Sequence, residues 1–95
     1  MPIFALEYTY VDSPDDLTAH RPAHRAFLAG ELPGVTILSS GPYTGPGGAG
    51  ALLILRADSA EALLATMDQD PFHQLGLIPE RSVHEWTPVN GPWAS

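Results

Sequence analysis

The stretch Pro2-Ile-Phe-Ala-Leu-Glu-Tyr-Thr-Tyr-Val11 decides the fold of this chain. It is rich in β-branched and aromatic residues and is followed by Asp12-Ser13-Pro14, a turn signal, so it predicts a β-strand. Successive side chains of a strand point to opposite faces of the sheet. One face would therefore carry Ile3, Ala5 and Thr9, and the other would carry Phe4, Leu6, Tyr8 and Tyr10. The strand is apolar on both faces. Glu7 is its one charged residue and is predicted at an exposed edge, with a position lining a pocket as the alternative.

The rest of the chain alternates between helix and strand signals. Pro22 suits a first helical turn and Gly30 a helix end, while Ala23, Phe27 and Leu28 share an inward face. Ser59 is a candidate N-cap for a second helix that stops before Asp70-Pro71. After a turn at 15–20, the predicted elements are a helix over Arg21–Ala29, a strand over Val35–Ser40, a loop over Gly41–Gly50, a strand over Ala51–Arg56, a helix over Ser59–Asp68 and a strand over Ser82–Val89.

The order of these elements is βαββαβ, which predicts an α+β fold of ferredoxin-like topology. A four-stranded antiparallel sheet would carry both helices on one face. The first and third predicted strands are apolar on both sides, so the sheet face without helices would remain an uncovered apolar patch. Such a patch marks an interface, and we expect a homodimer that packs sheet against sheet.

Composition narrows the classes of partner. The 95 residues suit one domain over 1–95, and 44% hydrophobic with 16% charged residues supports a packed core. The formal charge of -7 disfavours nucleic acid and anionic membrane surfaces. The chain has no cysteine, and residues 1–11 do not resemble a secretory signal. The longest apolar run, 49–55, is too short to span a membrane, so we expect a cytoplasmic protein.

Two residues are the leading candidates for chemistry. His24 lies on the first predicted helix three residues before Phe27, so it faces inward or close to it. Asp70 precedes Pro71, which biases its backbone to an extended form and directs the carboxylate. Simpler explanations stay open, because histidine is often partly buried and aspartate often ends a helix.

Two other patterns are weak. His20 and His24 have the i, i+4 spacing of zinc ligands, but Pro22 is expected to start the helix after His20, so no metal site is predicted. Residues 45–50 match G-x-G-x-x-G formally, yet a strand is predicted after them where a dinucleotide site requires a helix. A hairpin loop is the better interpretation.

Three short motifs together support a family assignment. Arg21-Pro-Ala-His24, Leu38-Ser-Ser-Gly-Pro42 and Asp70-Pro-Phe72 occur in an order and spacing that resemble the YCII (YciI-like) family. The resemblance spans nearly the whole chain and implies a dimeric α+β barrel with a His–Asp pair in a pocket, which falls on His24 and Asp70. It also implies lyase-type activity on hydroxylated aromatics in some members. The chain differs from the family in its Gly- and Pro-rich 42–50 loop.

The resulting hypothesis is cofactor-independent proton transfer by a lyase or isomerase. His24 would act as general acid/base on a small cyclic or hydroxylated aromatic molecule, and Asp70 would fix its tautomer. The substrate contacts would be Arg21, Ser40, Gly41, Tyr43 and Phe72. The alternative is a non-catalytic small-molecule-binding or accessory dimer. A cofactor-free oxygenase is a third hypothesis, supported only by shared barrel architecture.

The dimer is directly testable. Because the uncovered sheet face is apolar, light scattering at micromolar concentration should give twice the 10.1 kDa mass of one chain. A mass of one chain under these conditions would contradict the sheet-to-sheet interface.

Overall fold

The computed structural model describes residues 1–94 and shows the predicted α+β architecture. The elements are β1 (Ile3–Thr9), α1 (Pro14–Ala29), β2 (Thr36–Pro42), β3 (Gly50–Arg56), α2 (Ala60–Met67), α3 (Pro71–Gln74) and β4 (Glu80–Trp86). The four strands form one antiparallel sheet in the order β2-β3-β1-β4. This strand order is that of a ferredoxin-like fold, so the predicted topology is confirmed.

The core lies between the sheet and the helices. On β1, the even-numbered side chains of Phe4, Leu6 and Tyr8 are all buried in it. Leu6 pairs with Leu53 of β3 and Val83 of β4, so apolar side chains of three strands meet on this face. The same cluster contains residues of α1, α2 and α3, namely Leu17, Leu63, Met67 and Phe72. Burial of each such side chain stabilises the fold by about 1.5–3 kcal/mol.

The odd-numbered residues of β1 lie on the opposite face of the sheet. Ile3 and Ile54 there are 8% exposed, but Glu7 is exposed. Glu7 does not occupy the predicted edge, because β1 is hydrogen-bonded to a strand on each side. This face thus mixes apolar and charged groups, and the homodimer stays a prediction.

Helix α1 is longer than expected. It starts at Pro14, so the predicted turn at 15–20 is its first half and Pro22 lies inside it. The first helical hydrogen bond runs from Leu17 N to the Ser13 carbonyl, 3.1 Å away, and the buried Leu17 holds this half in the core. Burial outweighs the one hydrogen bond that Pro22 cannot donate. Ala23, predicted to face inward, is exposed.

The boundaries of three strands also differ from those predicted. β2 continues to Pro42 and β3 begins at Gly50, because Tyr43 N donates to the Gly50 carbonyl at 2.9 Å and extends the pairing. β4 begins at Glu80 and ends at Trp86, because its pairing follows the length of β1. Ser59 is the N-cap of α2 as predicted, since its Oγ accepts a hydrogen bond from Ala62 N at 3.1 Å. No helix within residues 1–94 is long and apolar enough to cross a membrane.

At Gly50 there is no room for a side chain between β3 and the backbone of β1. A Cβ atom at this position would overlap the carbonyl oxygen of Tyr8. We therefore expect Gly50→Ala to lower the free energy of unfolding by about 1–3 kcal/mol, measured by urea denaturation.

Gly41 provides the matched control, because a Cβ there would meet nothing within 4 Å. Gly41→Ala should leave the free energy of unfolding unchanged or raise it slightly. Equal effects of the two substitutions would contradict the close approach at Gly50.

Candidate functional site

The site is built where α1 meets α3. His24 lies in the middle of α1 and is 7% exposed, and Asp70 is fully buried at the N-cap of α3. The backbone of Asp70 is extended (φ -60°, ψ 126°), as expected before Pro71, and its Oδ1 accepts a hydrogen bond from Phe72 N at 2.9 Å. Capping of this short helix therefore directs the carboxylate towards α1.

A bifurcated contact joins the side chains of His24 and Asp70. His24 Nδ1 lies 2.7 Å from Asp70 Oδ2 and 2.9 Å from Oδ1. An ionised carboxylate can only accept hydrogen bonds, so Nδ1 must carry the proton that is shared with it. In the neutral imidazole this leaves the lone pair on Nε2. The pair therefore has the arrangement of an oriented general base.

Stacked rings hold the imidazole in place. Phe72 lies parallel to His24, with an interplanar angle of 3° and a centroid distance of 4.1 Å. Tyr10 packs edge-on against Phe72, with a centroid distance of 5.5 Å and an interplanar angle of 82°. The ring centroid of Tyr8 lies 6.3 Å from that of Tyr10. The aromatic series thus extends from the His–Asp pair to the central strand β1.

The two tyrosines are kept protonated by their surroundings. Burial, reinforced by the negative charge of Asp70, raises the pKa of Tyr8 far above its ordinary value. Burial and then Asp70 raise the pKa of Tyr10 to about 12, and the charge of Arg21 opposes that rise. Both phenols are therefore hydrogen-bond donors at neutral pH.

A cavity of about 610 Å³ opens beside these tyrosines. It is lined by the end of β1, the starts of β3 and β4 and the loop before β3. Its lining includes Tyr8, Tyr10, Arg81, Tyr43, Glu7 and Glu80. A volume of this size is in the range of small-molecule sites.

The residues expected to contact substrate fall into two places. Phe72 lies against His24, and Arg21 is one helical turn before His24 on α1. Ser40 and Gly41 line a separate depression of about 260 Å³ along β2 and β3. Tyr43 borders both cavities, and its hydroxyl donates a hydrogen bond to Glu7 Oε2 at 2.5 Å, which raises the pKa of Tyr43.

Sequence reasoning missed Tyr8, Tyr10 and Arg81 at this site. Alternation placed both tyrosines on one apolar face of the first strand, and nothing in a strand pattern distinguishes a core tyrosine from one beside a cavity. The premise about His20 was also wrong, because α1 begins before it and carries both His20 and His24. In the part of the chain that the structure describes, no group of three His, Asp or Glu side chains is arranged to hold a metal ion.

The fold and the buried pair define a ferredoxin-like α+β domain with a His–Asp site between two helices. The chain belongs to the YCII-related domain family, whose model matches residues 1–87. None of the curated proteins matches it.

Several solved structures share the fold of this chain. The chain is similar to 5-chloro-2-hydroxyhydroquinone dehydrochlorinase (TftG) from Burkholderia phenoliruptrix AC1100 in complex with 2,5-dihydroxybenzoquinone, with 25% identity and a TM-score of 0.76 over 90% of this chain and 93% of the other. The fold also resembles SnoaB, a cofactor-independent oxygenase from Streptomyces nogalater, with 13% identity and a TM-score of 0.52 over 94% and 93% of the two chains. A NIPSNAP domain protein from Burkholderia xenovorans shares the fold at 10% identity and a TM-score of 0.55, over 93% and 94%.

The raised tyrosine pKa values make stability depend on alkaline pH. The folded state holds these protons more tightly than the unfolded chain, whose tyrosines titrate near pH 10. Their stabilisation is complete below about pH 10 and is lost as the pH rises through the folded-state values. Urea denaturation should therefore show the free energy of unfolding falling between about pH 10 and pH 12.

Tyr10→Phe should make this fall shallower, because it removes one titrating phenol and keeps the ring on Phe72. The chain has no lysine to titrate in the same range. A stability that is constant or rises over this pH range would contradict the assignment.

Proposed function

We propose that this protein catalyses cofactor-independent proton transfer on a small cyclic or hydroxylated aromatic molecule, as a lyase or isomerase. His24 is the general acid/base and Asp70 is the residue that orients it. The observation that carries the proposal is the contact of His24 Nδ1 with both Asp70 carboxylate oxygens, at 2.7 and 2.9 Å. This contact commits one nitrogen and leaves Nε2 to exchange a proton with a ligand.

The chemistry of an elimination fits these groups. A proton passes from the substrate to His24 Nε2, and the electron pair left behind forms a new π bond. The leaving group departs with the electrons of its own bond, and Asp70 stabilises the imidazolium that is formed. In an isomerisation, His24 would return the proton at another atom. Both reactions conserve oxidation state overall, so no external oxidant or reductant is required.

The substrate class comes from similarity to TftG. That protein is named for dehydrochlorination of a hydroxyhydroquinone, and its structure holds a dihydroxyquinone. A flat ring of this size suits a site in which the histidine is stacked on Phe72 and the nearby cavity is lined in part by tyrosines. We therefore expect a hydroxylated ring bearing a leaving group.

The non-catalytic alternative has one observation in its favour. His24 is only 7% exposed, and the 610 Å³ cavity is lined by β1, β3 and β4 residues rather than by the histidine itself. A binding or accessory protein could use the cavity while the His24–Asp70 pair holds α1 to α3. It would bind a ligand saturably without converting it.

The deciding experiment follows turnover of halogenated hydroxyhydroquinones, with halide release and oxygen uptake recorded in parallel. Wild type should release halide without consuming oxygen. His24→Ala should lower kcat by about 10²- to 10⁴-fold, the usual contribution of a general base.

His20→Ala is the matched control, because His20 lies one helical turn from His24 on α1. This variant should retain the wild-type kcat. Unchanged turnover in His24→Ala would refute the general base. Saturable binding without conversion would favour the binding protein, and oxygen uptake would favour an oxygenase.

A further inference from the structure

Tyr8 contains a buried polar group that the fold does not use. The side chain is 2% exposed, and within residues 1–94 its hydroxyl has no hydrogen-bond partner. Leaving a buried hydroxyl unpaired costs about 1–3 kcal/mol, and a phenylalanine would fill nearly the same volume without that cost. The hydroxyl is therefore unfavourable for stability and calls for another explanation.

The position of Tyr8 connects it to the cavity and to the His–Asp pair. Tyr8 lines the 610 Å³ cavity together with Tyr10 and Arg81. Through Tyr10 and Phe72, its ring belongs to the aromatic series that ends on His24. The phenol is also close enough to Asp70 for the carboxylate charge to raise the pKa of Tyr8, which keeps the proton available for donation.

Arg81 adds a positive charge at the same place. It is the β4 residue paired with Tyr8 in the sheet register. Its guanidinium Nη1 lies 2.8 Å from Asp68 Oδ1, and His73 Nε2 lies 3.3 Å from the same oxygen. The contact of Arg81 with Asp68 is an ion pair by distance. It is not aligned as a hydrogen bond, and neither Arg81 Nη1 nor Asp68 Oδ1 has a hydrogen-bond partner among the described residues. Two neighbouring residues in the lining of the cavity thus carry a neutral donor and a cation.

We propose that Tyr8 is a ligand-binding residue of this site, whose hydroxyl donates a hydrogen bond to a carbonyl or enolate oxygen of the substrate. Arg81 lies beside it and stabilises negative charge on that oxygen. This inference rests on the proposed function and narrows its substrate class. The substrate carries an oxygen acceptor on the part of the ring that faces β1, away from the atom that exchanges a proton with His24. Charge that develops during proton removal is then stabilised at the oxygen.

The test compares two hydroxyl deletions, Tyr8→Phe and Thr66→Val. Thr66 lies on α2 and is not among the residues that line the 610 Å³ cavity. Its hydroxyl donates a hydrogen bond to the Pro33 carbonyl at 2.8 Å, so this hydroxyl has a partner within the protein. The probe is 2,5-dihydroxybenzoquinone, whose affinity is measured by titration calorimetry. The thermal unfolding midpoint of each variant is measured without ligand.

The two variants should change in opposite ways. Tyr8→Phe should bind the probe about tenfold more weakly and keep or raise its unfolding midpoint, because it loses only an unpaired hydroxyl. Thr66→Val should keep wild-type affinity and lower the midpoint, because it loses a hydrogen bond within the fold.

Three outcomes would overturn the proposal. Wild-type affinity in Tyr8→Phe would show that the hydroxyl does not contact the ligand. If turnover still depended on His24, the assignment of His24 as general base would be unaffected by that result. A lowered midpoint with unchanged affinity would make the hydroxyl structural. Absence of probe binding to the wild type would exclude a quinone-like ligand and so overturn the proposal for Tyr8, whereas the general base would still be decided by halide release in wild type and His24→Ala.

Discussion

The structure depends on one buried contact, between His24 of α1 and Asp70 at the start of α3. A buried carboxylate without partners would cost several kcal/mol, and here three hydrogen-bond contacts satisfy it, two to the imidazole and one to Phe72 N. Removing either partner would leave the other uncompensated in the core. The same contact therefore holds two distant segments of the chain together and sets the tautomer of the histidine.

The local structure around this contact restricts its geometry. Pro71 keeps Asp70 extended, and the cap on Phe72 N prevents the carboxylate from turning away. Leu77 then accepts a hydrogen bond from Val11 N at 3.1 Å, which ties the chain after α3 to the end of β1. The His–Asp pair, Tyr8 and Tyr10 are thus parts of one framework, and the proposed proton transfer at Nε2 would need little rearrangement of it.

Much of the fold could be predicted, because it depends on local patterns. Alternation in β1 placed Phe4, Leu6 and Tyr8 on one face, which the structure shows to be the core face, and the Ser59 cap marked the start of α2. The errors have a common origin in tertiary packing. Burial of Leu17 keeps α1 helical through Pro22, and pairing with neighbouring strands extends β2 to Pro42 and moves β4 forward to Glu80. Intrinsic propensity cannot anticipate a helix or strand that is stabilised by distant neighbours.

The sequence by itself determined the topology and the two central residues. The βαββαβ order follows from hydrophobic periodicity, and His24 and Asp70 were identified from a helix face, a residue before proline and three short motifs. The family resemblance implied that these two side chains pair. Only the tertiary structure decided that the pair is buried between α1 and α3 and that Tyr8, Tyr10 and Arg81 border the same cavity. It also placed Ser40 and Gly41 in a separate depression. The reason is that a hydrogen bond between residues 46 positions apart, and the burial of a phenol without a partner, are properties of the packed chain and leave no local pattern.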